Sequence, residues 1–179
     1  MQKLKFLKPA LSLIVITVGI ALLLALVNSM TANRIKENEL EKKREAISEI
    51  FPSLKSFDKV SAENLPVNVD EVGIVRDENN GKLGYYVEIS PQGFKDAITM
   101  IVGIDEKGDV VRVRCLSSSE TAGVGTKATD PKKLSDYEGK NVDTVKDVDT
   151  ITGATISSKA VRDGIEAACS AIEPLKGVN

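Results

Sequence analysis

The chain contains no histidine and no tryptophan, and its 179 residues include only two cysteines, four phenylalanines and three tyrosines. Without His it lacks the side chain that most often serves as a general base near neutral pH. A Ser-His-Asp triad and a histidine-bound metal are both excluded. Cys115 and Cys169 are too far apart to form a Cys-x-x-Cys pair, which argues against a zinc or iron–sulfur site held by this chain alone. No histidine-based catalysis and no zinc or iron–sulfur ligand set is therefore expected, and any redox chemistry must use a borrowed group. Clustered positive charge is also missing. The first 33 residues hold Lys3, Lys5 and Lys8 and no acid, so the remainder carries 21 basic against 26 acidic side chains, a formal −5. Nucleic-acid binding wants a basic footprint, and that class is set aside.

Charge is absent altogether from Pro9 to Asn33, whose centre reads LSLIVITVGIALLLALV. About 20 apolar residues at ~1.5 Å each cross a hydrocarbon core of roughly 30 Å. The expected element is a retained transmembrane helix over residues 9–30. A signal peptide is the competing reading, but its apolar region is usually shorter, about 7–15 residues, and small-x-small spacing is weak around Asn28 to Ala32. The early lysines favour a cytoplasmic segment 1–8 with the globular part outside, although Arg34, Lys36, Lys42, Lys43 and Arg44 follow the span. Thr31 to Phe51 has no Gly or Pro and is rich in helix formers, with pairs such as Glu39–Lys43 in favourable order. It predicts a helical stalk over 31–52, ended by Pro52, that lifts the domain off the bilayer and carries its charges on a solvated face.

From about Val67 the texture changes. VNVDEVGIVRDENNGKLGYYVEIS reads as two strands around an Asn79-Asn80-Gly81 turn. AITMIVGID (97–105) is an apolar strand, and the turn Glu106-Lys107-Gly108-Asp109 leads into VVRVRCLSS, where Val111, Val113 and Cys115 alternate with Arg112 and Arg114. Both cysteines read as packing residues. SSSETAGVGTKATDP (117–131) is a small-residue loop in which Gly123 and Gly125 could admit close backbone approach to a ligand, though an ordinary loop fits equally, and no Walker pattern is present. Val161, Ile165, Ala168, Cys169 and Ile172 mark one face of a last helix, with Ser157 or Ser158 as its natural N-cap and Pro174 with Gly177 as its stop. The expected fold class is α+β: a transmembrane helix and helical stalk, then a small antiparallel sheet domain with a C-terminal helix.

The helix start is over-supplied. In DTITGATISSKAV (149–161), five hydroxyl residues fall between Thr150 and Ser158, and one cap needs only one of them. The plain reading is a capped helix after a turn. The sharper one is an anion site, because free N–H groups and the helix dipole favour phosphate.

Asp149-x-x-Thr152-Gly153-Ala154-Thr155, followed by Ser157-Ser158, resembles the D-x-x-[ST]-G-A-[ST] flavinylation motif of the FMN-binding domain family. Glu120-Thr121-Ala122-Gly123-Val124-Gly125 resembles that family's E-T-P-G-L-G loop, with Ala122 for Pro and Val124 for Leu, and IVGID (101–105) matches the strand ahead of it. The likeness covers roughly Val67 to Ile172, nearly all of the expected FMN-binding domain, residues 67–174. Ser within 117–119 stands where the family often has His, and Pro91-Gln92-Gly93-Phe94 replaces its Gly-Tyr-rich turn.

The resemblance implies that Thr155 Oγ carries FMN through a phosphoester bond. A Thr hydroxyl is a weak nucleophile without a nearby base, so a separate flavin transferase using FAD as donor is implied. Asp149, Thr152, Gly153, Ala154 and Thr155 would be its recognition segment. Glu120, Thr121, Gly123, Gly125, Thr152, Gly153, Ala154, Ser157 and Ser158 would contact the cofactor, with Lys159 adding charge or simply solvated. Members with one membrane helix, a stalk and a single domain resemble electron-carrying subunits of membrane-bound ion-translocating ferredoxin:NAD oxidoreductases. The alternatives are the corresponding subunit of a sodium-translocating NADH:quinone reductase and a membrane-anchored non-redox binding module. The implied partners are other membrane and redox subunits, the transferase and the lipid bilayer, with the flavin domain extracytoplasmic and no complete reaction by this chain alone. Because the span carries no charge, the ion path is expected in other subunits.

Overall fold

The computed structural model describes residues 3–61 and 64–176, the first seven by backbone alone. Gly177, expected to help stop the last helix, and the start of the expected segment 1–8 lie outside the described residues. The chain divides into two compact units, Met1–Lys42 and Lys43–Asn179.

Helix α1 (Lys3–Ile50) runs unbroken through the apolar run and into the charged segment after it. From Ala10 onward it is long and apolar enough to cross a membrane, with a window of mean hydropathy 2.9 that has no protein packed on it. Two of its hydroxyls bond within the helix: Thr17 Oγ1 donates to Leu13 O at 2.7 Å and Thr31 Oγ1 to Val27 O at 2.8 Å. A helix that closes its own hydrogen bonds is what an apolar solvent demands.

In the second unit, β1 (Ser56–Val60), β2 (Val69–Arg76), β3 (Lys82–Ile89), β4 (Thr99–Ile104) and β5 (Val110–Ser117) form one antiparallel sheet in sequence order. Tight turns explain the simple order. Asn80 adopts a positive φ of 62° between β2 and β3, and the Asp105 carboxylate accepts the N–H groups of Lys107, Gly108 and Asp109 between β4 and β5. β1 is a strand that the sequence reading left out. It is an edge strand, SFDKV, with no buried residue, so it shows no clear apolar alternation.

Alternation along the central strands sends side chains to two separate cores. On one face Val87, Ile89, Met100, Val102 and Ile104 pack with Val161, Ile165, Ala168, Cys169 and Ile172 of α3 (Thr155–Ile172). On the other, Val75, Tyr86 and Ile101 meet Ala46, Ile47 and Ile50 of α1 and Phe51 beyond it. Val111 corrects the expected pattern, because it joins this second core while Val110 and Val113 join the first. An irregularity in the β4–β5 register at Gly103/Ile104 shifts the side-chain parity there. Gly103 is glycine for a reason of space: a Cβ would collide with Ile50 and sit 3.0 Å from Phe51.

The end of α1 is therefore not the wholly solvated stalk expected. Lys43 is 8 % exposed and its ammonium lies 2.5 Å from Glu71 Oε1 and 2.6 Å from Glu88 Oε2. Tyr86 Oη donates to Glu71 at 2.7 Å, and Lys59 adds a contact at 3.1 Å. Periodicity could not reveal this, since the acids come from strands 28 or more residues away. Burial alone would raise the Glu71 carboxyl, but bonds from Lys43, Tyr86 and Lys59 outweigh it and bring the pKa from 4.5 down to about 2. A carboxyl depressed on folding contributes stability that is complete above its unfolded value and disappears as pH falls through the folded one. Stability of the detergent-solubilised chain should thus decline between pH 4.5 and about 2. Chemical denaturation across that range should show a flatter decline for Glu71→Gln.

Candidate functional site

The opening of α3 distributes its five hydroxyl residues by exposure. Thr150, Thr152 and Thr155 are at the surface, whereas Ser157 and Ser158 are each 2 % exposed. Gly153 takes a φ of +84° in the turn that precedes the helix, closed by Ala154 N–H donating to Ile151 O at 2.9 Å. The helix begins at Thr155 with Ala154 in the cap position and no side-chain cap. The expected cap at Ser157 or Ser158 is thus corrected. Both lie within the first turn, because the tight turn at Gly153 brings the chain into helical geometry earlier than a serine cap would.

Ser158 locks that turn to the helix. Its hydroxyl donates to Ala154 O at 2.8 Å and accepts the Ile151 N–H at 3.1 Å. Ser157 points to the preceding loop and donates to Glu120 Oε2. The first N–H groups of a helix have no intrahelical acceptor, so an uncapped start at the surface leaves donors facing outward beside the Thr155 hydroxyl.

The loop after β5 is more ordered than its composition suggests. Val124 N–H and Thr126 N–H both donate to Thr121 O, and Gly123, at φ +74°, donates to Thr126 Oγ1 at 3.0 Å. A 3₁₀ turn (Gly125–Thr129) and the short α2 (Pro131–Leu134) follow. Glu120 is the buried member, with Oε1 accepting Lys95 N–H at 2.9 Å. Burial alone would raise its pKa, but the Ser157 hydroxyl and backbone N–H groups of Lys95, Asp96 and Phe94 hold it below the usual carboxylate value.

These pieces enclose a cavity of about 380 Å³. Of the expected cofactor contacts, Glu120, Thr121, Gly125, Gly153, Ala154 and Ser157 line it, together with Thr155. Asp149, Gly123, Thr152 and Ser158 are not in its wall, and Lys159 is exposed. Phe94, Val124 and Ile156 line it as well, although all three are largely exposed, and the sequence reading assigned none of them a role. Ile156 carried a usable signal: it is an apolar residue off the buried face of α3. The cysteines stand apart from the cavity. Both are free thiols, and burial pushes Cys169 up to about 12, so neither is a ready thiolate.

The size of the cavity suits a small organic ligand. An apolar rim beside an uncapped helix start and an exposed hydroxyl suits a planar aromatic group that carries a phosphate. Gly125 is where the site tolerates change least, because a Cβ would collide with Glu120 Oε2 and sit 3.0 Å from Ser157 Oγ. Gly125→Ala should therefore destabilise the protein by about 1–3 kcal/mol, as overpacking of a filled site does. Thermal unfolding would measure this.

Comparison with known proteins agrees with this geometry. Residues 93–170 match the FMN-binding domain model, and residues 1–50 match the RnfG N-terminal region. The G subunit of the ion-translocating oxidoreductase complex of Methanosarcina acetivorans is 30% identical, over 95% of this chain and 96% of its own. The Salmonella typhimurium protein of the same name is 30% identical over 90% and 88%. The G subunit of the Na(+)-translocating ferredoxin:NAD(+) oxidoreductase complex of Acetobacterium woodii is 29% identical over 88% and 87%. The fold resembles that of Shewanella oneidensis NqrC, with a TM-score of 0.50 over 70% of each chain at 19% identity. With an FMN-binding domain behind one N-terminal apolar helix, the chain belongs to the family of G subunits of ion-translocating oxidoreductase complexes.

Proposed function

We propose that this chain is the flavin-carrying electron-transfer subunit of a membrane-bound, ion-translocating ferredoxin:NAD oxidoreductase complex, with FMN joined covalently to Thr155. The observation that carries the site is the position of Thr155, an exposed hydroxyl on the uncapped first turn of α3, in the same cavity as Glu120, Thr121 and Gly125. When bound, the flavin supplies one- or two-electron transfer. This chain's residues supply the rest. The open N–H groups of the α3 start hold the phosphate, the Thr155 oxygen tethers it, and Phe94, Val124 and Ile156 keep water from the ring. Ser157 and Ser158 act from behind, fixing the turn that presents Thr155.

Attachment needs a separate flavin transferase. A bond forms between Thr155 Oγ and the phosphorus of the FMN half of FAD, the pyrophosphate bond breaks, AMP leaves and the hydroxyl proton is lost. Asp149, Thr152, Gly153 and Ala154 are the surface that such an enzyme reads, and all but Ala154 are exposed. Residues 9–30 span the bilayer, with segment 1–8 on the cytoplasmic side and the flavin domain, residues 67–174, outside it. The lysines at 3, 5 and 8 favour that orientation. A tethered cofactor suits an extracytoplasmic domain because it cannot diffuse away. The alternative host is a sodium-translocating NADH:quinone reductase. All three sequence relatives are G subunits of their complexes, and the Acetobacterium woodii one, named for a ferredoxin:NAD(+) oxidoreductase, favours the ferredoxin:NAD reading.

Co-expression with a flavin transferase should add one FMN to the peptide containing Thr155, detected by mass spectrometry and in-gel fluorescence. Both signals should vanish in Thr155→Ala. A fluorescent band that persists in the variant places the bond elsewhere, and an unmodified wild type favours a non-redox binding module. A reporter fused after Asn179 should be active only in an extracytoplasmic assay, and cytoplasmic activity reverses the orientation.

A further inference from the structure

Glu120 forms part of the cavity wall that also carries Thr155, yet it is 7 % exposed. Each of its oxygens is held by a neutral donor. The Lys95 N–H binds Oε1, and the Ser157 hydroxyl binds Oε2. The N–H groups of Asp96 and Phe94 also favour its charged form. Among the described residues no Lys or Arg side chain forms an ion pair with it. The backbone makes room for this carboxylate. A Cβ on Gly93 would stand 2.5 Å from Oε1, and one on Gly125 would collide with Oε2. Four converging neutral donors stabilise an anion without cancelling its charge.

We propose that the buried Glu120 carboxylate lowers the reduction potential of the flavin in this cavity by its uncompensated negative charge, acting through space. The inference rests on the reading that the flavin is joined at Thr155. Reduction adds negative charge to the ring, and a fixed anion in a water-poor wall opposes that addition. Neutral donors fix the position of the carboxylate but leave most of its field in place. A cation at the same spot would reverse the effect.

The test uses the full-length chain in detergent, co-expressed with a flavin transferase. Mass spectrometry of the Thr155 peptide comes first, and spectroelectrochemical titration of the loaded protein second. Glu120→Gln keeps the shape and one acceptor oxygen, turns the other into an NH2 donor that the Ser157 hydroxyl can accept, and loses the charge. It should take up flavin and reduce more readily, the reduced-to-oxidised ratio at fixed potential rising at least tenfold, about 30 mV for two electrons. Glu120→Asp keeps the charge and should stay near the wild-type potential. An unchanged potential in loaded Glu120→Gln overturns the proposal, and so does an equal rise in Glu120→Asp, which would make the residue a structural brace only. Should Glu120→Gln load no flavin, Ser157→Ala decides the matter. It removes a donor and leaves the anion less screened, so its potential should fall below wild type, and an equal or higher value overturns the proposal. A wild-type chain without flavin on Thr155 fails at the mass spectrum, before any titration, and removes the attachment reading on which the proposal stands.

Discussion

The Glu120 carboxylate ties together three stretches that are remote in sequence. It accepts a backbone N–H from Lys95, rises from the loop after β5 and receives the Ser157 hydroxyl from the first turn of α3. The cavity lies among those stretches, so its shape depends on this anchor. Burying a carboxylate is expensive unless its lone pairs are filled. Here the filling groups are neutral, and two glycines leave space where any side chain would intrude. The result is a rigid back wall behind an exposed front, the arrangement needed to display one hydroxyl at a helix start.

Rigidity at the site is supported by the sheet beneath it. Its central strands are covered on both faces, by α3 on one and by residues 46–51 on the other. Each fully buried aliphatic side chain contributes roughly 1.5–3 kcal/mol, so α3 is held chiefly by Val161, Ile165 and Ile172. Gly164 lets that helix approach closely, since a Cβ there would lie 2.8 Å from Pro91. Pro91 leads directly into the turn that carries Gly93 and Phe94. Packing of α3 and placement of the cavity rim are thus mechanically one feature. On the opposite face Lys43 draws Glu71 and Glu88 together, an ionic cluster that fixes the end of α1 against the strands.

Much of this organisation was legible in the residues. Two of the four turns between strands and the apolar face of α3 follow from local chemistry, which needs only neighbours a few positions away. Of the two motifs at 120–125 and 149–155, Glu120, Thr121, Val124 and Gly125 from one and Gly153, Ala154 and Thr155 from the other line one cavity. The misses share one cause. β1 is an edge strand with little apolar content, Lys43 finds its partners in distant strands, and Val111 changes faces through a local register shift. Each depends on pairing between segments far apart in the chain. Phe94, Val124 and Ile156 were missed for the same reason, because exposed apolar residues acquire meaning only when they converge on one opening.

By itself the sequence determined four of the five strands, both long helices, the apolar N-terminal span and the absence of any histidine chemistry. All of these rest on composition or on short periodic patterns. Only the tertiary structure decided which hydroxyls face inward. Ser157 and Ser158 are turned inward by hydrogen bonds to Glu120, Ala154 and Ile151, while Thr155 is left outside on an uncapped turn. Five similar side chains in nine residues are chemically near-equivalent in sequence. They become distinct when helix geometry and a buried carboxylate 37 residues upstream of Ser157 fix the direction in which each one points.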